Sequence, residues 1–260
     1  MLLVEKKNGI ARVTLNRPDV RNAFDDALIK LLHESFLSLG EDNSVRAIVL
    51  AGNGPAFCAG ADLNWMKRMA GFSYQENLRD ARALADMLAA LDRLPKPTIA
   101  RVHGPAFAGG TGLVAACDIA VGTPEAKFCF SEAKLGLSPA TISPHVLRAI
   151  GERAARRYFL TAEVFDAAEA HRIGLLSIIV PPGELDSLIE NLTGHLLSGG
   201  PEALAKIKDL VRAVSGKPVD DALVAETAKR IAEIRVSPEG KEGISSFLEK
   251  RKPSWHSKKS

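Results

Sequence analysis

Apolar and polar positions alternate with a period of two at the start of the chain. Leu2 to Glu5 and Ile10-Ala11-Arg12-Val13-Thr14-Leu15 flank Asn8-Gly9, a turn pair that favours a hairpin. Asn16-Arg17-Pro18 ends the second strand, and the period then lengthens. Leu28, Leu31, Leu32 and Phe36 predict a helix over about residues 25–39. The unbroken apolar run Ala47-Ile48-Val49-Leu50-Ala51 predicts a buried strand, followed by the turn-rich Gly52-Asn53-Gly54-Pro55. An amphipathic helix is expected over about residues 75–93, stopped before Pro95-Lys96-Pro97. A strand over residues 98–102 leads through Gly104-Pro105 to a glycine-containing loop that opens a helix over about residues 110–117. Ile119-Ala120-Val121 and Lys127-Phe128-Cys129-Phe130 read as short strands. From about Glu152 the pattern is mainly helical, broken at Pro181-Pro182-Gly183 and at Ser198-Gly199-Gly200-Pro201. Strand–helix alternation followed by helices predicts an α/β core over residues 1–198 and a helical C-terminal lobe over residues 199–260. The irregular spacing of the units fits a spiral of ββα turns, and periodicity does not separate that from a doubly wound sheet.

Composition narrows the class. The chain is 46% hydrophobic and 25% charged, ordinary values for a soluble globular protein. No apolar run approaches the roughly 20 residues of a membrane-spanning helix. The N-terminus lacks an h-region with a cleavage site, so no secretory signal is expected. The three cysteines, Cys58, Cys117 and Cys129, have no CxxC spacing, which argues against both a zinc site and a disulfide framework. Free thiols point to a reducing compartment, and the expected location is cytoplasmic. Net charge is +3, with basic residues gathered at Lys250-Arg251-Lys252 and Lys258-Lys259, a tail expected to be simply solvated. Aromatics are 5% and do not alternate with basic residues, so neither nucleic acid nor membrane is an expected partner. No metal or nucleotide motif is present.

Two loops carry candidate chemistry. Ala59-Gly60-Ala61-Asp62-Leu63 follows a predicted strand, and its small residues allow a ligand to approach the main chain, with Asp62 placed to cap the next helix. Gly104-Pro105-Ala106-Phe107-Ala108-Gly109-Gly110-Thr111-Gly112 lies between a strand and a helix, where free N–H groups favour negative charge. Neither GxGxxG nor GK[ST] is present in it. Taken singly, the first loop reads more readily as a turn with a helix cap, and the second reads equally well as packing.

Together they resemble the enoyl-CoA hydratase/isomerase family, the crotonase superfamily, whose first loop ends in an AGAD-type motif and whose second is a glycine-rich turn after a strand. Asn16-Arg17-Pro18 with Asn22-Ala23 resembles the family's early CoA-binding turn, Cys117-Asp118-Ile119-Ala120 its strand entry, and Phe247-Leu248-Glu249-Lys250-Arg251-Lys252 its C-terminal helix end. The likeness runs from about residue 4 to 253. It implies a crotonase-like spiral of ββα units with a helical C-terminal lobe, and subunits assembled as a homotrimer or a hexamer of paired trimers. CoA is then part of the substrate, and no separate cofactor is implied.

By that resemblance the N–H groups of Ala61 and Gly109 hold the thioester carbonyl and stabilise its enolate oxygen. Arg21, Ala23, Ala59, Asp62 and Leu63 are the implied CoA contacts, and Phe247 and Lys250 of the C-terminal helix are implied to reach the CoA site of a neighbouring subunit. Hydratases of the family use two glutamates. The second matches Glu132 in Phe130-Ser131-Glu132, and a neighbouring Phe130 and Leu135 suggest a raised pKa. The position of the first is Gly112. Where the family carries a Pro-Gly-rich turn, this chain reads Ser138-Pro139-Ala140-Thr141-Ile142-Ser143-Pro144-His145, so that Thr141, Ser143 and His145 join Gly112 as candidate acyl-pocket residues.

A lone Glu132 with this stretch is most similar to bacterial methylglutaconyl-CoA hydratases, carbon–oxygen lyases that interconvert 3-methylglutaconyl-CoA and 3-hydroxy-3-methylglutaryl-CoA in leucine degradation or its reverse. The isohexenylglutaconyl-CoA hydratases, themselves closely similar to that branch, are the alternative. Either substrate has a second carboxylate, for which His145, Arg82 and Arg79 are candidate partners. A Δ3,Δ2-enoyl-CoA isomerase, which needs one base, is the alternative within the family. A CoA- or RNA-binding scaffold without catalysis is the alternative outside it.

Overall fold

The computed structural model describes residues 1–256, so Lys258 and Lys259 of the basic tail lie outside the described residues. β1 (Leu2–Lys7) and β2 (Ile10–Leu15) form the expected hairpin, with Asn8 and Gly9 both at positive φ in its turn. α1 (Asp26–Glu41) is capped by the Asp25 carboxylate, which accepts from the Leu28 N–H, and β3 (Ala47–Gly52) follows. α2 (Leu63–Met69) and α3 (Tyr74–Arg93) precede β4 (Thr98–Val102), β5 (Ala106–Phe107) and α4 (Gly109–Ala116). β6 (Ile119–Gly122) and β7 (Lys127–Cys129) lead to α5 (Ser143–Thr161), β8 (Phe165–Asp166), α6 (Ala167–Arg172) and β9 (Ile178–Ile179). α7 (Leu185–Ser198), α8 (Pro201–Val214), α9 (Asp221–Val236) and α10 (Pro238–Leu248) complete the described chain.

The strands make two sheets. The larger has the order β1-β2-β3-β4-β6-β9, antiparallel only at the hairpin and parallel thereafter. The smaller has the order β5-β7-β8. Parallel strands buried on both faces need apolar residues in both phases, as the unbroken 47–51 run supplies. Ile48 and Leu50 enter the main core with Leu28, Leu32, Leu88 and Leu113, whereas Val49, Ile99 and Val121 face the other way onto Leu185 and Ile189 of α7.

This topology brings three loops together. The chain leaves β2, β3 and β4 at their carboxyl ends, which lie side by side, the usual place for a ligand site in a parallel sheet. The loop over residues 16–25 is tied to the loop over residues 53–62 by Asn22, whose side chain is fully buried. Its Nδ2 donates to the Asn53 and Ala56 carbonyls at 2.8 and 2.9 Å, and its Oδ1 accepts from the Arg17 N–H at 2.8 Å. Asn22→Ala strands these backbone groups and leaves alanine at a φ of 57°. The expected loss is about 3 kcal/mol, a fall of roughly 6–12 °C in Tm by thermal denaturation.

Two expectations from the sequence change here. The stretch read as a loop up to His145 is already helical from Ser143, because Pro144 sits in the first turn of α5, where its missing N–H costs nothing. The region expected to be mainly helical contains β8 and β9, strands of two residues each that extend the sheet edges and are too short to show a period. α8 begins just after Gly199-Gly200, and across α8 to α10 only Ser246 is buried. α8 docks on the core through Lys208, which donates to the Lys96 carbonyl and pairs with Asp118, and through Arg212, which donates to the Asp92 carbonyl.

Candidate active site

The two glycine-bearing loops run parallel. Cys58 and Ala106 form a parallel bridge, with the Cys58 N–H donating to the Pro105 carbonyl at 3.1 Å and the Phe107 N–H to the Cys58 carbonyl at 2.9 Å. Three residues further along each loop stand Ala61 and Gly109. The loops still touch there: a Cβ on Gly60 would lie 3.2 Å from that of Ala108. The sequence places small residues at both contacts, and that is what lets the two main chains meet.

The direction of each N–H follows from the pairing. Ala61 bridges Phe24 through its flanking groups, the Gly60 carbonyl accepting from the Phe24 N–H and the Asp62 N–H donating to the Phe24 carbonyl, both at 2.7 Å. The N–H of Ala61 itself therefore points away from that strand. Gly109 opens α4, and its N–H is among those a helix leaves unpaired. Among the described residues neither N–H has a protein acceptor. Ala108, just before, adopts φ 47° and ψ −118°, a conformation unfavourable for a residue with a Cβ. It is held there by its own N–H on the Cys129 carbonyl and by its carbonyl accepting from the Gly112 N–H.

The same Cys129 places the carboxylate. β5 and β7 are parallel, with Phe107 opposite Cys129, so the segment after each strand emerges on the same side. After β5 comes Gly109; after β7 comes a short 3₁₀ turn, Ser131–Leu135, bearing Glu132. Its Oε2 is buried with no hydrogen-bond partner. Burial pushes its carboxyl above the ordinary range, opposed only by its own backbone N–H. An unpaired buried carboxylate oxygen is costly for folding and marks a group kept for another purpose.

Arg17 braces the first loop, and its pairing with Asp62 is one the sequence does not reveal, because the two lie 45 positions apart. It pairs with Asp25 at 2.9 Å and Asp62 at 3.0 Å, and donates to the Ala23 carbonyl at 2.7 Å. Asp62 caps α2 as expected, accepting from the N–H groups of Asn64 and Trp65. Burial pushes Asp62 up, but those two N–H groups and Arg17 outweigh it and hold its carboxyl below the usual range. Thus Asp62 is 5% exposed and engaged by the loop itself. Arg21 is exposed in a left-handed conformation and its carbonyl accepts from the Ala59 N–H, while Ala23 is buried beside Phe24. Leu63 stands 74% exposed at the rim.

Of the remaining candidates, only Gly112 shares a helix with Gly109. Gly112 is buried under Ile142. The Ser143 hydroxyl donates to the Ala140 carbonyl at 2.8 Å, closing the turn before α5. His145 is buried with its Nδ1 3.1 Å from Arg148, which pairs with Asp92, and burial lowers its pKa. That network belongs to the end of α3. Arg82 pairs with Asp86 on the exposed side of α3, and Arg79 is exposed beside it. Thr141 is half-buried. Phe247 is 82% exposed on α10, which packs on α8 and α9, and the Lys250 N–H returns to the Phe247 carbonyl. Two surface clefts, about 350 Å³ between α1 and α3 and about 560 Å³ between α8 and the end of α4, contain none of Glu132, Ala61 or Gly109. Among the described residues no cluster of His, Cys, Asp and Glu suits a metal ion.

Comparison with known proteins shows the family and the fold. The profile of the family described as enoyl-CoA hydratase/isomerase matches residues 5–258. The crystal structure of an enoyl-CoA hydratase from Shewanella pealeana is 42% identical, with a TM-score of 0.95 over 98% of this chain and 95% of that one. Enoyl-CoA hydratase AKT6-1 of Alternaria alternata is 36% identical over 96% of this chain and 82% of its own length. The crotonyl-CoA hydratase of Syntrophomonas wolfei is 30% identical over 99% and 98% respectively.

Proposed function

We propose that this chain, which belongs to the enoyl-CoA hydratase/isomerase family, adds water across the C2–C3 double bond of 3-methylglutaconyl-CoA and catalyses the reverse dehydration. The observation that carries the reading is the buried, partnerless Oε2 of Glu132 on the same side of the fold as two unengaged N–H groups. In the forward direction the Glu132 carboxylate takes a proton from water as the water oxygen bonds to C3. The π electrons pass through C2 to the thioester oxygen, where the N–H groups of Ala61 and Gly109 receive the charge. The enolate then collapses, and C2 takes the proton held by the Glu132 carboxyl. One carboxylate thus serves as base and then as acid, and the proton count closes. Each preorganised donor is worth about 3 kcal/mol, because it stabilises the enolate more than the ground-state carbonyl.

The acyl group is read from two features together: Glu132 without a partner glutamate, and the stretch from Ser138 to His145 with its resemblance to methylglutaconyl-CoA hydratases. The loops holding Arg21, Ala23, Ala59 and Leu63 take the CoA portion.

A second reading, a Δ3,Δ2-enoyl-CoA isomerase, is favoured by one observation: position 112 is filled by Ile142, so one carboxylate is all that α4 and the Glu132 turn present. Product analysis across crotonyl-, 3-methylglutaconyl-, isohexenylglutaconyl- and 3-enoyl-CoA separates these. The expected product is 3-hydroxy-3-methylglutaryl-CoA, formed in preference to 3-hydroxybutyryl-CoA. Double-bond migration without hydration establishes the isomerase instead.

A further inference from the structure

We propose that Ile142 is the specificity-determining residue that restricts this site to a single acid–base group. The proposal rests on the assignment of Glu132 above and adds what limits its chemistry. Gly112 lies one turn beyond Gly109 in α4, on the same face. A helical Cα–Cβ bond leans toward the helix N-terminus, so a side chain at 112 covers the turn that presents the Gly109 N–H. A longer acid–base side chain at 112 would therefore stand over the first turn of α4, beside the group that the Gly109 N–H faces.

That volume is occupied. A Cβ on Gly112 would lie 2.9 Å from the Ile142 Cβ and closer still to its Cγ2, with the Leu88 Cδ1 at 3.8 Å behind. Ile142 is 1% exposed and does not yield easily: its carbonyl accepts from the N–H groups of His145 and Val146, both at 3.1 Å, which fixes it at the start of α5. Nor does the backbone require glycine at 112. The residue is helical with no positive φ, unlike Gly60 at φ 93°. Glycine in a helix interior is unfavourable relative to alanine. The absence of a side chain at 112 is therefore explained by Ile142 alone. The two residues form a steric lock across 30 positions of sequence, and it keeps a second acid–base group out of the one turn of α4 that overlooks the oxyanion site.

Thermal melts and hydration assays on Gly112→Ala, Gly112→Glu, Ile142→Gly and the double variant Gly112→Glu/Ile142→Gly test this. Glycine is used at 142 because the isoleucine Cβ itself obstructs, and a helix N-cap tolerates it. Gly112→Ala is expected to lower Tm although alanine is the better helix former, and Gly112→Glu to lower it further. The double variant is expected to melt no lower than Ile142→Gly alone, and to hydrate unbranched crotonyl-CoA about tenfold or more faster in kcat, with KM little changed. A Gly112→Ala variant as stable as wild type, or more so, overturns the lock. A double variant that regains Tm without gaining crotonyl-CoA hydration overturns its chemical role. A wild type inert toward every CoA ester removes the Glu132 reading, while the coupling in Tm still reports on the lock by itself.

Discussion

Glu132→Gln is expected to lower kcat on the preferred CoA ester by roughly 10³- to 10⁴-fold while leaving Tm at neutral pH unchanged or higher. Both halves have one cause. The Oε2 of Glu132 is buried without a partner, and its carboxyl is pushed upward by that burial. The ionised form the reaction needs is the form the fold disfavours. An amide has nearly the same shape but cannot take the proton from water, and it is cheaper to bury than a carboxylate. The pH dependence gives the sign. Below the ordinary value of 4.5 the group is protonated whether the chain is folded or not, so it affects neither stability nor the comparison. As pH rises through that value the unfolded chain ionises first, and wild type loses stability until pH exceeds the raised folded value. The Tm advantage of the Gln variant should therefore appear as pH rises from the acid side and then level off. Over the same interval kcat/KM of wild type should climb, its acid limb lying above the usual carboxylate range. Turnover that survives the substitution removes Glu132 as the base, and no turnover by wild type supports the scaffold alternative.

Residues close together in sequence were easier to read than those joined only by the fold. The α1 and α3 spacings, the buried run of β3 and the Asn8-Gly9 turn depend on neighbours within a few positions, and the structure reproduces them with ends shifted by a residue or two. The glycine-bearing loops were legible for the same reason, since small residues after a strand are a local signal. That Ala61 comes beside Gly109 depends on the bridge between Cys58 and Ala106, 48 residues apart. Arg17 reaches Asp62 across 45 positions, and nothing near either residue announces the pair. His145 reads as a loop histidine near the acyl group, but Pro144 starts α5 early and the ring turns to Arg148. Gly112 is the sharpest case. Its identity has no explanation in its own helix and becomes intelligible only beside Ile142.

Gly109→Ala should cost roughly 10²-fold in kcat, although it removes no side-chain chemistry and adds one methyl group. The added Cβ would lie 2.7 Å from the Cε2 and 2.9 Å from the Cδ2 of Phe24. Ordinary carbon contacts are about 3.5–4.0 Å, so one partner must move by about an ångström. Phe24 is 1% exposed and its backbone carries both hydrogen bonds that hold the Ala61 segment, so it does not retreat freely. The first turn of α4 then shifts, and the Gly109 N–H shifts with it relative to the N–H of Ala61. A donor displaced on that scale loses most of its preference for the enolate over the carbonyl. Overpacking of this kind also costs about 1–3 kcal/mol, a fall of roughly 2–12 °C in Tm for a chain of this size. The two effects are separable by adding Phe24→Leu, which removes the ring atoms in question. The double variant should regain part of both kcat and Tm if geometry is the cause. A Gly109→Ala enzyme with lowered Tm but wild-type kcat would show that the N–H of Gly109 does not stabilise the enolate.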